Sequence, residues 1–349
     1  MTRVLQAIAG AKHGGAEGFF ERLALALRRA GQEQRVVIRR DPRRAKLLNA
    51  GGIAPVELAF GGWLDFTTRP ALKREIAAFK PQVVLTWMSR ASSFCPRSTR
   101  DLPFVQVGRL GGYYKLKYFK RCAHLIGNTP DIVDYIRRNE WPAERAHYLP
   151  NFVDAMRADP VARANLDTPA DAPLLLALGR LHKNKAFDVL LRAVKEAPGV
   201  YLWLAGAGEE EAALKRLAAE LGIAPRVRFL GWREDVAALL AAADVFVCPS
   251  RHEPLGNVVI EAWSAGKPVV AARSAGPAAL IGDGETGLLA PVNDVVALAV
   301  AIKRLIADEA LRARLAEAGR RVYEAQFTEA SVVAQYRAFF DRVAAEGRA

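Results

Sequence analysis

"AAADVFVCPSRHEPLGNVVIEAWSAG", residues 241–266, sets a short apolar run against a helical one, and the loop between them decides the fold. The run ends at Pro249 and Ser250, so it reads as a buried strand closed by a turn. From Asn257 onward apolar residues recur at helical spacing, with Asn257 as N-cap and Gly266 as the stop. Glu253 therefore lies on a strand-to-helix loop, and Glu261 lies inside the helix, just over a turn from its start. That arrangement aims a carboxylate, backbone N–H groups and the positive end of a helix at one place. A polyhydroxylated, anionic ligand suits it.

Working outward, strands and helices alternate along the whole chain. The first half gives strands "RVLQAIAG", "QRVVIR", "QVVLTWM", "LPFVQV" and "HLIGN", with helices "AEGFFERLALALRRA", "RPALKREIAAFK", "YYKLKYFKRCA" and "DIVDYIRRN" between them. After "YLPNFVD" the alternation restarts with "LLLALGRL", "AFDVLLRAVKEA", "VYLWLAG", "EEAALKRLAAELG", "VRFLG" and "EDVAALLAAA". Such alternation marks βαβ units, so the expected fold class is α/β, two doubly wound Rossmann-like domains with parallel sheets. Residues 151–172 are polar and proline-containing and read as the linker. Ligands of these sheets bind at the carboxyl ends of strands, and two such edges are expected to face a central cleft.

A chain of 349 residues with 51% hydrophobic residues exceeds one core, in line with two domains. Cys95, Cys122 and Cys248 form an odd set without C-x-x-C spacing, which argues against a disulfide frame or a zinc site and for a reducing, cytoplasmic setting. The first twenty residues have no long apolar segment and resemble a strand and loop more than a signal peptide. No run reaches the roughly 20 apolar residues of a membrane span.

The net charge of +13 is unevenly placed. Residues 1–150 hold 26 Lys and Arg against 12 Asp and Glu, whereas residues 151–349 hold 24 against 25. The excess is either solubility charge or the mark of a domain that faces an anionic partner, a phospholipid surface or nucleic acid. Nucleic acid is the weaker of these, since no binding module is present.

"LGRLHKNKAFDVLLRA", "LAGAGEEEAALKRLAAE", "VRFLGWREDVAALLAAADVFVCPSRHEPLGNVVIEAW" and "GKPVVAA", with "GGAE" at 14–17, follow one another in the order and spacing of family 4 retaining glycosyltransferases. The chain thus resembles that family over nearly its whole length. The resemblance implies the GT-B fold. Residues 1–155 would form the acceptor-binding domain, residues 156–330 the nucleotide-sugar domain, and residues 331–349 a C-terminal helix returning to the first domain.

Arg180 and Lys185, on a loop entering a helix, have the charge to hold a diphosphate and stabilise it as leaving group. The resemblance implies that Glu253 contacts the donor sugar and counts with Arg180 and Lys185 as catalytic. It also implies that Gly14, Gly15, Gly206, Leu255, Gly256 and Asn257 bring backbone to sugar and phosphate, and that Glu261 accepts from the ribose hydroxyls. A Gly-Gly after a strand is otherwise simply a turn. No Asp-x-Asp triplet occurs, so no metal and no cofactor are expected beside a UDP- or GDP-linked sugar donor. Two departures stand out. The family's usual histidine after "LPFVQV" is replaced by Gln106, Gly108 and Arg109, and "SAGPAALI" lacks the familiar glutamate, leaving only backbone contacts near Gly276.

For the acceptor, "GGYYKLKYFKR" at 111–121 interleaves aromatics with Lys115, Lys117, Lys120 and Arg121. It reads either as an interfacial helix or as a helix with one face in the core and lysines on the other. "RRDPRRAK" and "GGWLDF" add a basic cluster and aromatics to the same domain. His13, Glu17, Arg109, Tyr113, Lys115, Lys117 and Lys120 are candidate acceptor or membrane contacts. The chain is similar to bacterial lipopolysaccharide-core transferases, which implies a glycolipid acceptor and a peripheral place at an anionic inner membrane face, with no nucleic acid. A same-fold transferase or epimerase acting on a soluble small molecule is the alternative.

Overall fold

A computed structural model describes residues 1–11, 14–62 and 64–347. The chain divides into two compact units, Met1–Asn151 with Glu329–Ala349, and Phe152–Thr328. The boundaries read from the sequence fall slightly C-terminal of these divisions.

The first unit runs β1 (Val4–Ile8), α1 (Gly15–Arg29), β2 (Gln34–Arg39), α2 (Pro42–Ala50), β3 (Val56–Leu58), α3 (Thr68–Phe79), β4 (Val83–Trp87), α4 (Met88–Phe94), β5 (Val105–Leu110), β6 (His124–Gly127), α5 (Pro130–Arg138) and β7 (Ala146–Tyr148). Its strands form a parallel sheet in the order β3-β2-β1-β4-β5-β6-β7. Both faces are covered, which is why β1 and β4 are buried at every position and read as apolar runs broken only by the buried Gln6 and Thr86.

The second unit runs β8 (Leu174–Leu178), α6 (Phe187–Lys195), β9 (Tyr201–Ala205), α7 (Glu211–Glu220), β10 (Val227–Gly231), α8 (Val236–Ala242), β11 (Val245–Cys248), α9 (Asn257–Ser264), β12 (Val269–Ala272), α10 (Ala275–Leu280), β13 (Leu288–Ala290), α11 (Val295–Ala307) and α12 (Glu309–Gln326). Its sheet, also parallel, is ordered β10-β9-β8-β11-β12-β13. Successive strand residues feed opposite cores. Leu175 and Ala177 pack with Leu190, Val194 and Ile302 on one face, and Leu174 and Leu176 pack with Trp203, Phe246 and Trp263 on the other.

Two local expectations fail, one of them in part, for tertiary reasons. Residues 113–123 form no α-helix, only a single 3₁₀ turn at Leu116–Tyr118. Phe119 and Cys122 are buried against Gly108, where a Cβ would come within 2.6 Å of the Phe119 ring, and the Tyr135 hydroxyl donates to the Tyr114 carbonyl. These anchors fix the segment and override its helix-period pattern. The basic cluster "RRDPRRAK" keeps Arg39, Arg40, Arg43 and Lys46 exposed but runs into α2 and loses Arg44 to the interior. Asp41 caps the helix by accepting from the Arg44 N–H at 3.1 Å. Arg44 is fully buried, donating to Glu21 at 2.9 Å and to the Ala11 carbonyl at 2.9 Å.

α13 (Glu329–Glu346) belongs to the first unit and completes its core with Tyr336, Phe339, Phe340 and Val343. Its central polar contact is to Arg109 on β5. The Arg109 guanidinium is 1% exposed, lies 4.3 Å from the Trp87 ring and 4.8 Å from that of Phe19, and donates to the Tyr336 hydroxyl at 2.8 Å and to Asn151 Oδ1 at 2.5 Å. Nearby, His124 and His147 meet at 3.1 Å between ring nitrogens, with the Phe339 ring packed edge-on to both.

Two predictions follow from this joint. Tyr336→Phe leaves a buried guanidinium N–H without its acceptor and should cost about 1–3 kcal/mol, a loss of roughly 2–10 °C in Tm; an unchanged melting curve would contradict the role given to the pair. Burial lowers both histidine pKa values, that of His147 to about 4 with His124, Arg342 and Arg137 adding to the effect, and for His124 burial outweighs the pull of Glu346. The unfolded chain therefore takes up these protons first, so stability is full above the ordinary value near 6.5 and falls as pH drops from there toward 4. Since water reaches the half-buried His147, the loss should be on the order of 1 kcal/mol. Thermal melts of His147→Gln across that window should show a shallower decline than the parent.

Candidate active site

In the second unit the strand order reverses between β8 and β11, where one crossover leaves toward each face and the carboxyl ends of two neighbouring strands stay uncovered. The loops there, residues 179–186 and 249–256, carry the candidate donor residues Arg180, Lys185, Glu253, Leu255 and Gly256. Glycines let the main chains close in. Gly206 has φ +144°, and a Cβ on it would lie 1.9 Å from the Gly179 carbonyl oxygen; one on Gly208 would lie 2.3 Å from that of Leu181. The N–H groups of Gly179 and Leu181 donate to Ala205 and Ala207 at 3.0 Å each.

Lys185 and Glu253 meet over this gap. The Lys185 ammonium donates to Glu253 Oε2 at 2.5 Å, and Glu253 Oε1 accepts from the Gly256 N–H at 3.3 Å. Glu253 is 8% exposed. Gly256, at φ +69°, precedes the first turn of α9, so the N-terminal N–H groups of that helix lie beside the carboxylate. Leu255 and Asn257 are half-buried on the same turn, and Glu261 is half-buried within α9. "SAGP", without its glutamate, holds the loop by backbone. The Gly276 N–H donates to the Glu253 carbonyl at 2.7 Å, and a Cβ on Gly276 would come within 2.5 Å of that oxygen.

Arg180 is exposed and donates to Glu209 at 3.1 Å; His182 approaches the other oxygen of Glu209 at 3.6 Å. The Glu209 carboxyl lies below its ordinary pKa, held there first by its own backbone N–H and then by Arg180. Behind this pair, Arg251 forks onto Asp188 at 2.7 and 2.8 Å and donates to the Lys183 carbonyl at 2.7 Å. Burial works against the charge on Asp188, but the Arg251 fork outweighs it, so its carboxyl sits below the usual range. Arg251 therefore ties the loop carrying Glu253 to the loop carrying Lys185. His252 is exposed.

In the first unit the reversal lies between β1 and β4, and a cavity of about 1180 Å³ opens at the carboxyl ends of the strands there. Gly14 leads into α1 at Gly15, and the open space around Gly15 contrasts with the crowding at Gly10 and Gly14, where a Cβ would strike the Glu17 side chain. Glu17, 7% exposed, accepts from the Ala11 N–H at 2.8 Å and forms part of the cavity wall. Arg109, expected as a ligand contact, is corrected: ring faces and α13 enclose it in the core. Tyr113 is exposed, donates its hydroxyl to Asp131 and packs edge-on to Tyr135. That hydrogen bond, with burial adding to it, raises its pKa to about 12. Lys115, Lys117 and Lys120 face solvent. His13 lies outside the described residues, as does Trp63 of "GGWLDF"; Leu64 and Phe66 of that stretch are exposed.

Among the described residues, no three His, Cys, Asp or Glu side chains gather as a metal-binding set, and no helix is long and apolar enough to cross a membrane. The sequence reading missed Glu209 and the Arg251–Asp188 brace. Arg251 adjoins the Glu253 loop and Asp188 stands in the first turn of α6, but only the topology brings them together. It also missed Arg69 and Arg90, which line the first-unit cavity together with Arg39, the first residue of the basic cluster at 39–46.

Residues 13–157 match the family described as Glycosyltransferase Family 4, and residues 159–322 match Glycosyl transferases group 1. Lipopolysaccharide core biosynthesis glycosyltransferase LpsE of Rhizobium meliloti (strain 1021) is 41% identical over 93% of this chain and 95% of its own length. LpsD of the same organism is 39% identical over 94% and 95%. Among solved structures, Anabaena HepE in complex with UDP superposes with a TM-score of 0.81 at 21% identity, covering 97% of this chain and 100% of that one. Two parallel Rossmann-like units with a helical C-terminus are the architecture of the GT-B glycosyltransferases. With relatives this similar over nearly its whole length, the chain belongs to the family 4 glycosyltransferases.

Proposed function

We propose that this glycosyltransferase moves a hexose-type sugar from a UDP- or GDP-linked donor to a lipopolysaccharide-core or other glycolipid acceptor, with retention of anomeric configuration and without a metal ion. The observation that carries the donor assignment is the Lys185–Glu253 pair at the β8/β11 reversal, beside the first turn of α9. Lys185, Arg180 and the N–H groups of α9 offer positive charge to a diphosphate. Glu253 and Glu261 offer acceptor oxygens to sugar and ribose hydroxyls. These cations take the part that a bridging metal would play. In the transfer, the bond between the anomeric carbon and the diphosphate oxygen breaks and the acceptor oxygen bonds to that carbon on the same face. The acceptor's proton passes to the departing phosphate, and the nucleoside diphosphate leaves.

The names of the two full-length relatives support a lipopolysaccharide-core acceptor. The cavity of the first unit has the size and lining for it: Tyr114 and Tyr118 form part of its wall, while Lys115 and Lys117, interleaved with them, face solvent. A saccharide in the cavity would thus have its lipid carrier near a cationic, aromatic surface, which favours peripheral attachment at the cytoplasmic membrane face.

Lys185→Ala and Glu253→Gln should each lower turnover by on the order of 10²-fold while far-ultraviolet circular dichroism shows the fold intact, with some loss of melting temperature because each variant leaves a partly buried group without its partner. Parent-like rates would remove the donor assignment. Thermal shift against UDP-, GDP- and ADP-sugars should single out one donor, which at 100 times its Kd adds about 2.7 kcal/mol. Excess chelator should leave turnover unchanged, and proton NMR of early product should show the donor's anomeric configuration. Lys115, Lys117 and Lys120 replaced together by Ser should weaken binding to anionic vesicles by about 3 kcal/mol at most, and equal affinity for neutral and anionic vesicles would point to a soluble acceptor.

A further inference from the structure

The first-unit cavity is unbalanced in charge. Arg39 reaches it from the end of β2, Arg69 from α3 and Arg90 from α4. Among the described residues none of the three has a carboxylate partner: Arg69 donates to the Ser93 carbonyl at 2.9 Å and Arg90 to that of Phe60 at 3.3 Å. Among the described residues the wall holds two carboxylates, which keep their charge but are turned onto neutral donors and pair with none of the three arginines. Glu17 accepts from Ala11, and Asp65 turns both oxygens inward onto the N–H groups of Gly61, Thr67 and Thr68 and the hydroxyls of both threonines.

Arg69 also borders a second, smaller recess of about 370 Å³, shared with Lys73, Arg97 and Arg121. No acidic residue lines it. Burial and then the nearby Arg69 and Arg97 charges lower the Arg121 pKa. Six solvent-exposed cations thus line two adjoining hollows, and a compact oxyanion is the ligand their donors would bind. Phe66, Phe94 and Tyr118 supply apolar faces in the larger hollow on which a sugar ring can rest.

We infer that the acceptor is an anionic saccharide, bearing a phosphate or a carboxylate, and that Arg39, Arg69 and Arg90 bind its oxyanion. This rests on the reading of the first unit as the acceptor side, and it names a feature of the acceptor that a neutral glycan lacks.

The test uses the full chain with its donor site saturated by UDP or GDP, whichever stabilises it, and titrates glucose 6-phosphate, glucuronate and glucose by calorimetry. One or both anionic sugars should bind at least 10-fold more tightly than glucose, and the preferred one identifies phosphate or carboxylate. Arg69→Gln and, separately, Arg90→Gln should abolish the difference, and Arg69→Lys should keep part of it. Equal affinity for all three sugars, or a preference untouched by both glutamine variants, would overturn the inference. So would binding only to phosphatidylglycerol vesicles, lost in the same variants, which would assign the arginines to a lipid headgroup. Donor-induced stabilisation of the same protein reports separately on the glycosyltransfer reading: if it persists while the sugars fail to discriminate, only the anionic-acceptor inference falls.

Discussion

Where a parallel sheet reverses its strand order, the crossovers part to opposite faces and strand carboxyl ends are left uncovered. Both units of this chain are built around such a place, at β1/β4 and at β8/β11. The second unit closes its gap with main chain held at contact distance, through Gly179, Gly206 and Gly208, and then bridges it with one ion pair. The first leaves its gap open as a cavity. In the second unit glycines and a Lys–Glu link bring the loops into contact, and in the first the cavity is lined by Phe66, Phe94 and the exposed Arg39, Arg69 and Arg90.

The ion pair is held from behind. Arg251 fixes Asp188 and the Lys183 carbonyl, and Gly276 fixes the Glu253 carbonyl, so Lys185 and Glu253 are placed by groups that do not themselves face the gap. Two partly buried charges at 2.5 Å have little water left around them. Under the proposed donor assignment, an incoming diphosphate would give Lys185 an anionic partner in place of Glu253 and sugar hydroxyls would donate to the freed carboxylate, so part of the desolvation is already present before ligand arrives.

Much of this was legible in the chain, because period-2 and period-3.6 patterns survive wherever an element is long and buried on both faces. The βαβ alternation and the loop carrying Glu253 could be read from the chain, and the start of α9 to within one residue, since Gly256 and not Asn257 is its N-cap. What could not be read depended on contacts distant in sequence. Arg109 looks like a loop-end cation until Trp87, Phe19 and Tyr336 are seen around it. The 113–123 stretch has helical spacing, yet Phe119 over Gly108 prevents the helix. The arginines of the first cavity come from β2, α3 and α4, three elements with no common motif, so no local pattern joins them.

α13 belongs to the first unit, although the whole of the second unit precedes it in the chain. During synthesis this sets an order. The second unit has every residue it needs before the first does, because Tyr336, Phe339 and Phe340 emerge last and close the core around Arg109. Until then a nascent first unit exposes the apolar surface that this helix covers and holds a guanidinium without its hydroxyl partner. The protein's first-made half is thus its last-folded one, and the interval between the two is when the chain is open to aggregation and to chaperones.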